Sequence, residues 1–318
     1  MIAVIHSIIA ITIRAGTSLV YATVGEVYTE RSGVLNLGLE GMMLMGAVTS
    51  FAVAFHTGSL ALSLFTAMGV GLVLSSIHAF LSITMRANQV VSGLSITLFG
   101  TGLASFLGQR LGPAANSHFL VGLTAVRFQR IPIPVLAEIP ILGALFNQDP
   151  MTYAIYILVP AAWYYMYKTK KGLNLRAVGE NPQTADAMGI SVTGVRYLYT
   201  IFGGMLVSLG GAHLSLSYTP GWTENITGGR GWIVIALVIF SMWNPARAVY
   251  GALLFGGINA LQFRLQLAGV GIPAPVLNMF PYLATIGVLV LVTWWESKGK
   301  RKLGAPAALA TSYMREDK

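Results

Sequence analysis

Residues 41–85 contain no Asp, Glu, Lys or Arg. A helix needs roughly 20 apolar residues to cross a bilayer. A charge-free run of this length therefore predicts two successive membrane helices. His56-Thr57-Gly58-Ser59 supplies a turn between segments near 33–55 and 59–84. The rest of the chain agrees. Of its 318 residues 55% are hydrophobic and only 10% charged, with a mean hydropathy of +0.68. A soluble domain carries about 25% charged residues. A soluble enzyme is excluded on that ground. The chain has no cysteine, which also excludes disulfides and thiolate sites.

Further apolar stretches near 2–24, 88–112, 150–167, 197–217, 248–263 and 275–295 complete the prediction. The expected fold is an all-α membrane protein, a polytopic helical bundle of about nine transmembrane segments in one domain, 1–318. The first stretch lacks a basic start and a small-residue cleavage pattern, and reads as a retained helix with Arg14 inside it. Residues 231–243 are apolar, but Arg230 and Asn244-Pro245 bound them. As a helix they span ~20 Å against a hydrocarbon core of ~30 Å, so a half, re-entrant or broken helix is expected there. Pro113, Pro132, Pro134 and Pro140 interrupt helical register across 113–149. That stretch reads as a long extracytoplasmic loop, extended at 131–135, with a short helix on the membrane surface. Gly33-Val34-Leu35-Asn36-Leu37-Gly38 and Gly229-Arg230-Gly231-Trp232-Ile233 open apolar segments in the two halves, which leaves an internal repeat open.

The net charge is +9. All seven lysines fall in two places: Lys168, Lys170 and Lys171, then Lys298, Lys300, Lys302 and Lys318. Lysine and arginine concentrate on the cytoplasmic side of membrane proteins. A cytoplasmic loop at 168–194 and a basic cytoplasmic tail at 296–318 follow, and five segments before Lys168 put the N-terminus outside. Arg110, Arg127 and Arg130 then lie outside, against the trend. The excess charge marks a face near anionic lipid, and no nucleic-acid partner is implied.

Residues 168–194 exceed the usual connection of ~4–6 residues. Asn181-Pro182 is a helix-start signal, Asn capping and Pro in the first turn; residues 183–188 read as a short helix that Gly189 ends. The pattern Arg176-Ala177-x-Gly179-x-Asn181-x-x-Thr184-Ala185-x-x-x-Gly189-Ile190 resembles the coupling loop of ABC-importer permeases, in the branch that handles branched-chain amino acids, ribose and nucleosides. Gly25-Glu26 and the run from Arg31 to Met43, with Asn36-Leu37-Gly38-Leu39-Glu40-Gly41 at its centre, resemble the early signature of the nucleoside-type permeases. Residues 229–237, Asn244-Pro245 and 251–256 resemble their late signature; Ser241-Met242-Trp243 departs from it. The resemblance implies that Arg176, Gly179, Glu180, Asn181, Ala185, Gly189 and Ile190 couple to a cytoplasmic ABC ATPase. No Gly-x-x-x-x-Gly-Lys-Ser/Thr occurs, so ATP and Mg would bind that separate subunit, and this chain is a transport subunit with no cofactor of its own. Further implied partners are a second permease, in a homodimer or more readily a heterodimer, and an extracytoplasmic binding lipoprotein or periplasmic protein. A bacterial inner-membrane location follows from the same resemblance.

Candidates for a substrate path are Asn36, Glu40, Trp222, Trp232, Asn259 and Gln262. Glu40 begins an apolar run, where a carboxylate is costly unless paired. A tie to Arg14 or to a half-helix N-terminus is the plainer reading. Asn36 lies at the same break and offers a donor and an acceptor. Trp222 and Trp232, with Glu224 and Asn225, suit stacking on a base or ring, though interfacial aromatics are commonplace. Asn259 and Gln262 either join helices or line a path. Ser92, Ser95 and Thr97 are expected to bond to their own helix backbone. The five histidines show no metal spacing, and no carboxylate pair is expected inside a span.

The expected function is translocation of a nucleoside or similar small polar solute by an ATP-driven importer. The alternatives are the same importer carrying a sugar or riboflavin-like solute, or an ion-coupled secondary transporter. An intramembrane enzyme finds no nucleophile–base or metal constellation in the sequence.

Overall fold

The computed structural model describes residues 2–113, 119–267, 273, 276–277, 279–297 and 304–315. Lys298, Lys300, Lys302 and Lys318 lie outside them. The described helices are α1 (Ile2–Arg31), α2 (Leu39–Thr57), α3 (Leu60–Ala79, continued by a π turn Phe80–Thr84), α4 (Gln89–Gly108), α5 (Pro150–Lys168), α6 (Lys170–Glu180), α7 (Pro182–Ala187), α8 (Val192–His213, continued by a π turn Leu214–Tyr218), α9 (Arg230–Phe240), α10 (Pro245–Leu267) and α11 (Phe280–Ser297). Among the described residues, five stretches are long and apolar enough to cross a membrane: Ile5–Arg31, Leu39–Thr57, Leu60–Thr84, Gln89–Gly108 and Val192–Tyr218. The tyrosines of α5, and Arg247, Gln262, Arg264 and Gln266 of α10, keep two further long helices less hydrophobic.

Local signals explain the helix boundaries. Ser59, Asn88, Asp149, Thr169, Asn181 and Ser191 each cap a helix by accepting a backbone N–H in its first turn. Helix α9 stops at eleven residues, about 16 Å, which is half a span.

Helix α8 is the hub, packing on α1, α2 and α3, while α10 packs on α1. Its glycines make that possible. A Cβ on Gly211 would lie 1.9 Å from the Met43 carbonyl oxygen, and one on Gly210 would lie 2.7 Å from that of Ser18. Consecutive small residues, about 100° apart around the helix, thus bring two neighbouring backbones into contact, the usual device where lipid offers no hydrophobic drive.

Two expectations change. Helix α1 does not end near Val24 but runs to Arg31, which places Glu26 and Glu30, four residues apart, inside a span and buried. A carboxylate pair at helical spacing therefore does exist. It read as a boundary because its partners are tertiary. Residues 131–148 hold a two-stranded pairing, Ile131–Pro132 with Asn147–Gln148, and two tight 3-10 turns. No α-helix occurs among the described residues of this loop. It folds back onto the bundle, where the Phe128 N–H donates to the Leu216 carbonyl (2.9 Å).

Candidate functional site

Residues 32–38 connect α1 to α2 without helical structure, and most of their side chains are buried. Buried backbone groups must find partners. Here side chains of three helices supply them. The Leu35 N–H donates to Gln89 Oε1 (2.7 Å), and its carbonyl accepts from His78 Nε2 (3.1 Å). The Asn36 N–H donates to Glu26 Oε1 (3.2 Å). Thr97 Oγ1 donates to the Leu37 carbonyl (2.7 Å). With His78 Nε2 donating, Nδ1 accepts from Ser92 Oγ (3.0 Å). Ser92 thus ties α4 to α3, and Thr97 ties α4 to the connector, rather than bonding to their own helix. Only Ser95 back-bonds, to the Val91 carbonyl (2.8 Å).

The two glycine-rich segments of the sequence meet at this break. Glu40 opens α2, and its carboxylate accepts from Thr227 Oγ1, from the Gly229 N–H (3.0 Å) and from the Gly231 N–H (2.7 Å). It caps the half-helix α9, where unpaired N–H groups and the helix dipole favour an anion. Arg14 pairs elsewhere, donating to the Ser217 carbonyl (2.7 Å). The other end of α9 is held by α1. Trp243 Nε1 donates to Glu30 Oε2 (2.5 Å), and Arg31 Nε donates to the Trp243 carbonyl (3.1 Å). Asn36 accepts the Gly38 N–H on Oδ1 (2.8 Å), so its acceptor serves its own turn.

The remaining candidates do not converge with these. Trp222 is buried against Gly108 of α4, with no partner for its indole N–H among the described residues. Trp232 is 40% exposed on α9. Asn259 Nδ2 donates to the Phe255 carbonyl of its own helix (3.2 Å), and Gln262 is buried on α10 one turn away. At the end of the bundle remote from α7, two adjoining cavities of about 390 and 270 Å³ share Arg127 and Pro220; Arg14, Arg130 and Tyr218 line the larger, Phe51 and Ser215 the smaller.

The 168–194 segment forms α6 and α7. Asn181 Oδ1 accepts the Thr184 N–H (2.9 Å), and Gly189 turns with a φ of +80°, a conformation that suits glycine. Pro182 and Ala185 are buried, whereas Asn181, Gln183, Thr184, Ala187, Met188 and Gly189 are exposed. Met188, 78% exposed, tips the element. Sequence reasoning overlooked Gln183 and Met188, although helical spacing sets both apart from the buried Pro182 and Ala185. The base of the element is anchored. A Cβ on Gly179 would lie 2.2 Å from the Arg31 carbonyl oxygen, so α6 crosses the end of α1 at backbone distance. Arg31 also pairs with Glu180 (3.7 Å), and the Arg176 guanidinium lies over the Tyr167 ring (5.1 Å). Ile190 packs on the small core of Val178, Ala185 and Val192, which Tyr313 also joins. Burial and the neighbouring Asp186 carboxylate push the Tyr313 phenol above its ordinary pKa.

The sequence has known relatives. The family model described as "Branched-chain amino acid transport system / permease component" matches residues 8–289. The chain belongs to that permease family. The permease is 40% identical to the "Putative glucose ABC transporter permease protein TsgC13" of Haloferax volcanii, over 96% of each chain. It is 34% identical to the guanosine ABC transporter permease protein NupQ of Bacillus subtilis, over 90% of this chain and 92% of that one. It is 35% identical to the nucleoside ABC transporter permease protein NupC of Lactococcus lactis, over 89% and 91%. The permease is thus a multi-pass membrane transport component of an ABC system, not an enzyme. Family membership implies a cytoplasmic ATPase and a substrate-binding protein as its partners.

Proposed function

We propose that the permease moves a nucleoside or similar small polar solute, delivered by an extracytoplasmic binding protein, on energy from ATP hydrolysed by a separate ATPase subunit. The observation that carries the reading is the form of α7. It is short, capped at both ends, exposed on one face and tied at its base to α1 through Gly179 and the Arg31–Glu180 pair. A protruding element fixed to a membrane helix can transmit displacement, which a flexible connector cannot. Arg176, Gly179 and Glu180 anchor it; Asn181, Ala185, Gly189 and Ile190 shape it. Its exposed face is the docking surface for the ATPase.

The pairing of Arg31 with Glu180 supports the orientation in which α7 and the C-terminus are cytoplasmic and the N-terminus lies outside. The solute path runs beside the Asn36–Glu40 break and α9, at the interface with a second permease subunit; a different second permease makes the pair a heterodimer. Trp222 and Asn259 then support the helices rather than touch the solute.

The names of NupQ and NupC motivate a nucleoside. The name of TsgC13 favours a hexose as the second reading. Uptake into proteoliposomes holding the full complex and internal ATP, with labelled guanosine or glucose, separates them. Uptake that follows an ion gradient and ignores ATP refutes the importer reading altogether.

A further inference from the structure

Residues 304–315 lie across the coupling elements as an ordered, non-helical strand of chain. The Ala310 N–H donates to the Gly33 carbonyl at the end of α1 (3.2 Å). The Ala308 N–H donates to the Gly179 carbonyl at the end of α6 (2.9 Å), and the Ala307 N–H to Glu180 Oε2 (3.4 Å). Arg315 Nε pairs with Asp186 Oδ2 of α7 (3.3 Å). Arg196 Nη1 of α8 donates to the Thr311 carbonyl (2.9 Å). One short segment thus touches three helices, α6, α7 and α8, and the connector that leaves α1.

Burial makes these contacts more than surface decoration. Pro306 and Ala308 are buried, and Pro306 Cβ lies 3.2 Å from where a side chain on Gly179 would begin. Gly179 is thereby closed on one side by α1 and on the other by this segment. Tyr313 joins the small core that Val178 of α6, Ala185 of α7 and Val192 of α8 form. Arg196 is 1% exposed, and its one hydrogen bond among the described residues goes to the Thr311 carbonyl; Nε and Nη2 have none. Lifting the segment away would take from this guanidinium the one acceptor it has among the described residues. The segment is therefore bound at its core and not only at its rim.

We propose that residues 304–315 are a fixed strap that locks α7 to α1 and α8, so that displacement of α7 by a docked ATPase reaches the membrane helices instead of being absorbed in the 168–194 loop. The strap is a positioning element. It makes no contact with a solute, and it holds the angle at which α7 leaves the membrane. The proposal rests on the reading of α7 as the ATPase-coupling element.

The test uses the complete transporter in proteoliposomes and reads three quantities: ATPase co-purified per permease, ATP hydrolysed, and solute moved per ATP. Removal of residues 304–318 is expected to leave co-purification and hydrolysis in place while solute moved per ATP falls about tenfold, within the usual range of coupling between sites. Tyr313→Ala and Arg196→Leu are expected to act in the same direction, with Tyr313→Phe and Arg196→Lys restoring most of the ratio. These point variants carry the test if the truncated chain fails to insert. Unchanged solute per ATP in all of them overturns the proposal. Loss of co-purification overturns it too, because the strap would then be a docking surface.

The sequence has no cysteine, so an Asp186→Cys/Arg315→Cys pair can be joined without background by a bifunctional thiol reagent that a reductant cleaves, its span suited to the long Arg315–Asp186 contact. A fixed strap predicts equal solute per ATP in the cross-linked and the cleaved pair. Loss on cross-linking that the reductant restores would make the strap a moving part and refute it. Replacing residues 179–190 with a flexible linker controls the underlying reading. An ATPase retained there refutes the coupling element, whereas an ATPase lost there and kept, fully coupled, without the strap refutes the strap alone.

Discussion

Glu40→Gln tests whether the Glu40 carboxylate is a structural cap for α9. Oε1 accepts from Thr227 and Gly229, and Oε2 from Gly231 at 2.7 Å. Glutamine keeps one oxygen, enough for the first two donors. Its NH2 group then faces the Gly231 N–H, donor against donor. The lost charge-assisted bond is worth about 1.5–3 kcal/mol. Removing a charge from a buried helix N-terminus adds up to about 2 kcal/mol. Together these give a loss of about 1.5–5 kcal/mol. At roughly 2–4 °C per kcal/mol, the slope of large domains, the unfolding midpoint in detergent should fall by about 3–20 °C. Glu40→Ala strands all three donors and should fall further. Midpoints are read by intrinsic fluorescence on purified protein. A Glu40→Gln midpoint within about 1 °C of wild type would refute the cap, and so would an alanine variant no worse than glutamine. A changed KM for uptake at unchanged stability would instead make Glu40 a solute contact.

Three further outcomes are expected. Gly211→Ala puts a Cβ 1.9 Å from the Met43 carbonyl oxygen, so α8 and α2 must part; a loss of at least about 1–3 kcal/mol should appear as a lower midpoint in detergent. Gln89→Leu leaves the Leu35 N–H unpaired at a cost of about 1–3 kcal/mol, and hydrogen exchange should speed up at residues 34–38 while α8 stays protected. Met188→Glu alters an exposed side chain, so stability should stay within about 0.5 kcal/mol while ATPase co-purification falls; a variant that binds ATPase normally would move docking away from the tip of α7.

The elements most legible in the sequence are those set by neighbours in the chain. Asn181-Pro182 specifies the start of α7 because cap and first turn are adjacent residues. Arg230 and Asn244-Pro245 bracket the half-helix α9 for the same reason. Glu26 and Glu30 were illegible, since what admits them to a span is the Asn36 N–H in one case and Trp243, 213 residues away, in the other. Glu40 was half legible. Gly38 and Gly41 announce a break, but nothing nearby indicates that Gly229 and Gly231 fill it. Ser92 and Thr97 read as back-bonding hydroxyls because periodicity does not reveal which helix lies opposite. The strap was hidden most completely. It binds largely through main-chain N–H and C=O groups, which every sequence has, so residues 296–318 read only as a basic tail.

The clamp on α9 bears on how the chain is made. Its contacts join residues 187 to 213 positions apart, linking Glu40 with Thr227 and Glu30 with Trp243. Synthesis at about 5–20 residues per second separates the two halves of each contact by roughly 10–40 s. Through that interval Glu30 and Glu40 are already in the nascent chain while the groups that satisfy them have not been translated. The early helices must then wait with those carboxylates in water, at an interface or against the insertion machinery, because lipid would not accept them. Chains that stop before residue 227 should be recognised as unfinished, by carboxylates that have nothing to cap.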